Sequence, residues 1–274
     1  MDGPSEMELE GERDPNEGAP IAAKDVRRAL KRGELFLEYL PLMAVPEGRC
    51  VGAEALARWR RDGGVVMPNR FIPAIEETPV SGLLTYWVIE TLATELGEWL
   101  RAHDDVQLGI NIPPEILGRG GLEYAAERAG LLDQAPKLVL EITERGYPDR
   151  QGAMALGMEN RYGTRVALDD VTFNGRNLVV LSRCSFDILK IDRSLVAQIG
   201  SPGQQGLPPW LDHLSALRQG AALEIIAEGV ETREQLDTLV AAGVTRVQGF
   251  FFSRPLPAAD FIAYHATHRG AAPS

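Results

Sequence analysis

Val166-Ala167-Leu168-Asp169-Asp170 is an apolar run that ends on two adjacent carboxylates, and a polar, turn-forming stretch from Val171 to Asn177 follows it. A buried strand reads this way when it delivers charge to a site at its carboxyl end. Successive strand residues face opposite ways, so the two aspartates share a site only if Asp169 closes the strand and Asp170 opens the loop. Two carboxylates this close repel unless something positive sits between them, and a divalent cation is the simplest candidate. An exposed Asp-Asp turn explains these five residues equally well, so the rest of the chain must decide.

Outward from that stretch the pattern recurs. Apolar runs that read as strands cover 35–45, 51–58, 106–111, 137–143, 165–169, 186–191, 223–227 and 244–249. Helical patterns lie between most of them, at 22–32, 81–103, 114–130, 151–162, 177–182, 231–242 and 258–268, and a Pro/Gly-rich loop covers 200–209. In the longest helix Leu84, Trp87, Val88, Leu92, Leu96 and Trp99 recur at helical spacing, which marks a core face. Eight strands alternating with helices predict an α/β fold, a TIM-like (β/α)8 barrel. An open doubly wound sheet is the structural alternative.

The carboxyl ends of these strands carry the chemistry. The second offers Glu54 and Arg58, the third Asn111, the fourth Glu141 and Glu144, and the fifth Asp169 and Asp170. The sixth sets Lys190 in an apolar run, the seventh ends on Glu228 with Glu231 three residues on, and the eighth gives Gln248. One carboxylate in one apolar strand has a dull explanation in a local salt bridge. Seven strands in succession do not, because buried charge is costly unless paired or metal-bound. Oxygen donors from four strands, Glu54, Asn111, Glu141 and Asp169, suit a hard cation such as Mg²⁺ or Mn²⁺ better than zinc. The four histidines, His103, His213, His265 and His268, lie in helical or terminal segments and make poor ligands. An enolase-like barrel that abstracts protons with a lysine and a metal also fits carboxylates at strand ends.

Composition narrows the class. The 274 residues carry a formal charge of −11, and 45% of them are hydrophobic. Seven acids against Arg13 place a net −6 within residues 1–20, a stretch with little apolar content that reads as a disordered tail. No basic footprint for duplex nucleic acid is present. Cys50 and Cys184 form no CxxC and read as reduced cysteines. The acidic N-terminus lacks a signal-peptide pattern, and no apolar run reaches membrane-spanning length. A cytoplasmic protein that does not engage the membrane is the expectation.

At Glu54-Ala55-Leu56 the chain resembles the EAL domain family, the cyclic di-GMP phosphodiesterases named for that tripeptide. The likeness runs from about residue 24 to about residue 262. Its motifs stand in family order: Glu54-Ala55-Leu56-Ala57-Arg58-Trp59, Phe71-Ile72-Pro73, Asn111-Ile112-Pro113, Leu140-Glu141-Ile142-Thr143-Glu144, Leu168-Asp169-Asp170, Leu189-Lys190-Ile191-Asp192, Ala227-Glu228-Gly229-Val230-Glu231-Thr232, Gln248-Gly249-Phe250 and Ser253-Arg254-Pro255-Leu256. The resemblance implies a barrel domain over 21–268, flanked by tails at 1–20 and 269–274, with its first strand antiparallel to the rest. It implies hydrolysis of one phosphodiester of cyclic di-GMP to linear pGpG in bacterial second-messenger signalling, two Mg²⁺ or Mn²⁺ ions, and a homodimer.

Carried over by residue, Glu54, Asn111, Glu141 and Asp169 match ligands to one metal and Asp170 a ligand to the second, with Glu228 at or beside the centre. Lys190 matches a lysine that contacts the attacking water, and Arg58 one that contacts a substrate phosphate. Leu56, Gln248 and Pro255 match substrate-binding positions. Glu231 and Gln248 match supports of the metal and water network, and Glu144 the anchor of the loop after the aspartate pair. Among so many acids Lys190 should stay protonated, which makes it an electrostatic group and leaves Glu228 or Asp170 as a base.

Two departures stand out. In Glu38-Tyr39-Leu40-Pro41 a leucine replaces the family's usual glutamine, removing one contact worth roughly 0.5–1.5 kcal/mol. After the aspartate pair the family's Phe-Gly-Thr-Gly-Tyr-Ser-Ser becomes Val171-Thr172-Phe173-Asn174-Gly175-Arg176-Asn177. Thr172 and Asn174 replace glycines, so a different loop path is expected. Family members with an altered loop here include weak or inactive proteins that serve as cyclic di-GMP receptors, which is the alternative function.

Overall fold

A computed structural model of the chain describes residues 20–143, 152, 162–173, 185–201, 206–212, 214 and 223–270. The expected acidic tail, apart from Pro20, the expected helices at 151–162 (residues 152 and 162 aside) and 177–182, and the last four residues lie outside the described residues.

The strands are β1 (Leu35–Ala44), β2 (Arg49–Arg61), β3 (Gly64–Val66), β4 (Gln107–Asn111), β5 (Leu138–Thr143), β6 (Arg165–Val171), β7 (Ile188–Ile191), β8 (Glu224–Ala227) and β9 (Arg246–Val247). β2, β4, β5, β6, β7, β8 and β9 pair in parallel in that order. β1 pairs antiparallel with both β2 and β9 and so closes the ring. Closure rules out the open sheet, and the antiparallel first strand is as the resemblance implied. β3 is an edge hairpin on β2 that the sequence pattern does not reveal.

The helices are α1 (Ala23–Arg32), α2 (Pro68–Phe71), α3 (Pro79–Arg101), α4 (Gly121–Arg128), α5 (Arg193–Val196), α6 (Arg233–Ala241) and α7 (Ala258–Thr267). Their ends follow local chemistry. Thr78 caps α3 by accepting from the Val80 N–H, with Pro79 in the first turn, and Thr232 with Gln235 forms a capping box on α6. The expected apolar face of α3 is buried at Leu84, Val88, Leu92, Leu96 and Trp99, while Trp87 is half-buried. The expected helix over 114–130 is corrected. A 3₁₀ turn (Pro114–Ile116) precedes α4, because Gly118 and Gly120 take φ of +71° and +75° and break the run.

The main core fills the shell between strands and helices. It takes the outward-facing residues of the barrel, such as Leu108, Ile110, Leu168, Leu189 and Ile225. Inward-facing residues alternate with these and rise two at a time. Arg165, Ala167 and Asp169 lie on one face of β6, Glu224 and Ile226 on one face of β8 below Glu228, and Gln107, Gly109 and Asn111 on one face of β4. The interior is therefore layered. Its middle is an apolar plug of Leu42, Val51, Val139, Ala167, Ile188 and Ile226. A polar layer lies on each side of it. No helix among the described residues is long and apolar enough to cross a membrane.

Candidate active site

The layer at the carboxyl end of the strands is centred on Lys190, which shares the inward face of β7 with Ile188 and is 1% exposed. Its Nζ lies 2.8 Å from Glu141 Oε2, 2.8 Å from Glu228 Oε1, 3.1 Å from Glu54 Oε2 and 3.3 Å from Asp169 Oδ1. One cation thus faces four acids from four different strand ends. With all of them ionised, three negative charges go unmatched inside the barrel.

Amides knit the acids together. Asn111 Nδ2 donates to Glu54 Oε1 at 2.9 Å, and Gln248 Nε2 donates to Glu54 Oε2 at 2.7 Å and to Glu228 Oε1 at 3.1 Å. Glu141 has room only because β4 carries a glycine. A Cβ on Gly109 would stand 2.1 Å from Glu141 Oε1.

The aspartate pair reaches one site by a route the sequence reading did not foresee. β6 does not stop at Asp169 but continues to Val171. Between the Leu168–Leu189 and Val171–Ile191 pairs, Asp169 and Asp170 together oppose the single residue Lys190. This is a β-bulge, and Asp170 adopts φ +55° within it. The extra residue turns a side chain that strict alternation would send to the far face back toward its neighbour. Carboxylate oxygens of Asp169, Asp170 and Glu228 consequently lie within 4.8 Å of one another, as do those of Glu54, Glu141 and Asp169.

Protonation equilibria in this layer follow burial and mutual charge. For Glu54, burial opposes the charge, but Lys190 first and then the Asn111 and Gln248 hydrogen bonds hold the carboxyl below its ordinary value. Burial and then the Glu54 charge push Glu141 well up, and burial and then Asp169 do the same to Glu228. Asp169 is raised by burial, against the pull of Lys190. Lys190 is driven well above its usual value because Asp169, Glu141, Glu228 and Glu54 outweigh its burial, so it is an ammonium here.

The donor set fits a hard divalent cation. It is all oxygen, it carries excess negative charge, and Asp169 Oδ1 is buried without a hydrogen bond. Glu54, Asn111, Glu141 and Asp169 would hold one ion, with Asp170 and Glu228 beside Asp169 for a second.

Of the other expected site residues, those on β2 lie beside this layer. Leu56 and Arg58 follow Glu54 on the same face of β2. Arg58 is buried, and its Nε donates to Glu38 Oε2 at 2.8 Å while Nη1 donates to the Ala57 carbonyl. Glu38 was missed in the sequence reading. The β1–β2 register explains it, since Glu38 pairs with Leu56 one step from Arg58. Leu40 pairs directly with Glu54, so the leucine faces the acid layer. Pro255 precedes Leu256, whose backbone bridges Tyr39 of β1. Glu231 is exposed, and its described contact is a backbone N–H donated to Gln235, so no described contact ties its carboxylate to the acids. Thr172 is not among the described residues with positive φ, whereas Phe173 is, at +56°. Glu144 and residues 174–177 lie outside the described residues.

An eight-strand barrel with β1 reversed, and this acid layer at its mouth, is matched by a family model for the EAL domain over residues 23–255. The chain belongs to the EAL domain family. The EAL domain of DcpA from Mycobacterium smegmatis is 30% identical to it, with a TM-score of 0.67 over 86% of this chain and 99% of that one. The PaMucR phosphodiesterase, solved as a c-di-GMP complex, is 29% identical with a TM-score of 0.74 over 87% of this chain and 98% of that one. Among curated relatives, the probable cyclic di-GMP phosphodiesterase PdeB of Escherichia coli (strain K12) is 30% identical over 88% of this EAL chain. This chain spans 46% of that relative's own length.

Proposed function

We propose that this EAL domain hydrolyses one phosphodiester of cyclic di-GMP to linear pGpG, using Mg²⁺ or Mn²⁺, two ions in all, held by Glu54, Asn111, Glu141, Asp169, Asp170 and Glu228. The observation that carries the reading is the layer of four acids around Lys190 at the barrel's carboxyl end, in a family whose named relatives include cyclic di-GMP phosphodiesterases.

A phosphodiester anion repels hydroxide, so the site must neutralise the phosphate and supply a nucleophile near neutral pH. Bound divalent ions would lower the pKa of a coordinated water and neutralise phosphate charge. The chain's own groups do the rest. Asn111 and Gln248 fix the Glu54 carboxylate, Lys190 offers a fixed positive charge, and Glu228, whose carboxylate converges with those of Asp169 and Asp170, is the group assigned to take a proton when ionised. Arg58, held through Nε by Glu38, is the group assigned to a substrate phosphate, with Leu56 and Pro255 lining the substrate. From the family resemblance we extend the reading to a homodimer acting in the cytoplasm.

A second reading, a cyclic di-GMP receptor without turnover, is favoured by Leu40, which sets an apolar side chain opposite Glu54. Incubation with cyclic di-GMP and Mg²⁺ or Mn²⁺, followed by chromatography, separates the two. Formation of pGpG that stops with EDTA is expected. Binding without pGpG under either metal makes the chain a receptor, and neither binding nor turnover sinks both readings.

A further inference from the structure

We propose that Lys190 sets the metal affinity of this site by competing with divalent cations for the carboxylate oxygens that would ligate them. This competition presupposes the metal-centre reading above. The geometry is direct: the ammonium lies 2.8–3.3 Å from an oxygen of Glu54, Glu141, Asp169 and Glu228. Glu54, Glu141 and Asp169 form one convergent trio, and Glu228 joins Asp169 and Asp170 in the other. Lys190 therefore draws on both trios from one point.

An ammonium has three N–H donors, and here it has four carboxylate acceptors in reach. Every lone pair it engages is weakened as a ligand, and a second cation drawn to the same oxygens is repelled by it. The lysine cannot swing aside cheaply. It is 1% exposed and sits above the apolar plug at Ile188, so its stem is fixed by packing.

The same contacts give Lys190 a second role of opposite sign. It is the one described cation in contact with these four acids, so it holds them in one layer when no metal is bound. A purely structural lysine would strengthen folding and leave metal affinity alone or raise it. A lysine acting only on the attacking water would alter turnover and leave metal affinity unchanged. Competition predicts that its removal weakens the metal-free fold and tightens metal binding.

The test uses the full chain and Mn²⁺ alone. Titration calorimetry gives the Mn²⁺ affinity of wild type, Lys190→Met, Lys190→Gln and Lys190→Arg, and thermal melts in EDTA give the metal-free stability. Lys190→Met should bind Mn²⁺ roughly 10- to 100-fold more tightly than wild type, equal in size and opposite in sign to the loss that follows removal of a group supporting a metal's ligands. Its melting temperature in EDTA should fall. Lys190→Arg, which keeps the charge, should bind no more tightly than wild type. If Lys190→Met does not fold, Lys190→Gln keeps two N–H donors without the charge and carries the same prediction. A folded neutral variant that binds Mn²⁺ no tighter than wild type overturns the competition while leaving the metal centre standing. A wild-type chain that binds no Mn²⁺ overturns the metal-centre reading and the competition with it.

Discussion

The barrel interior is charged at both ends, and the two ends are built on opposite terms. At the amino-terminal end Arg165 and Arg246 reach the two oxygens of Glu224 at 2.7 and 2.5 Å, and Arg246 also donates to Gln107 Oε1 at 2.6 Å. Two cations share one acid there, an amide takes up a remaining donor, and the side chains stay 17–26% exposed. At the carboxyl end four acids, 5–15% exposed, share one lysine that is 1% exposed. The same strands build both layers: Glu224 lies four residues below Glu228 on β8, Arg165 four below Asp169 on β6, and Arg246 two below Gln248. Strand alternation supplies inward-facing polar positions at either end, but the charge count differs. A layer with enough positive charge of its own is a stability feature. One that buries an excess of negative charge calls for cations from outside. Active sites of such barrels lie at the carboxyl end, and features of the other face serve stability.

Substitution of one acid at each end turns this contrast into measurements. Glu54→Gln removes a carboxylate charge that Asn111, Gln248 and Lys190 converge on. Loss of a ligand to an ion that stabilises the transition state by several kcal/mol should lower kcat/KM for cyclic di-GMP by roughly 10²- to 10³-fold or more. The fold should persist, because Lys190 keeps its contacts with Glu141, Asp169 and Glu228. Equal turnover in the variant would mean that Glu54 does not serve the metal. Glu224→Gln at the other end should do the reverse. It leaves Arg165 and Arg246 facing each other with only an amide between them, and it should cost about 1–2 kcal/mol of stability, below the cost of breaking a fully buried pair because water reaches these groups. Denaturant melts would show that loss, and turnover per folded molecule should match wild type. A stable Glu224→Gln with impaired turnover would erase the distinction between the two ends.

Much of the carboxyl end was legible from residues alone. Each of its strands is an apolar run with one or two polar residues of the right kind set in it or just after it, and Glu54, Asn111, Glu141, Asp169, Asp170, Lys190, Glu228 and Gln248 all meet there. What escaped depends on pairing between strands. The bulge at Asp169-Asp170 exists only in register with Lys190 on β7, and the Glu38–Arg58 pair only in register between β1 and β2. Gly109 gives no sign by itself that it makes space for Glu141. The amino-terminal layer escaped for a different reason. Arg165, Glu224 and Arg246 stand at strand starts, where a charged residue usually faces water and signals nothing. Glu231 was singled out by its place in a motif, and its exposed carboxylate makes no described contact with the acids.

Binding of divalent metal by the acid layer around Lys190 can be seen in a crystal of the protein grown with Mn²⁺. Anomalous difference density should appear among Glu54, Asn111, Glu141 and Asp169, with a second peak beside Asp170 and Glu228. An acid layer free of such density at saturating Mn²⁺, with Lys190 still bridging the four carboxylates, would contradict it.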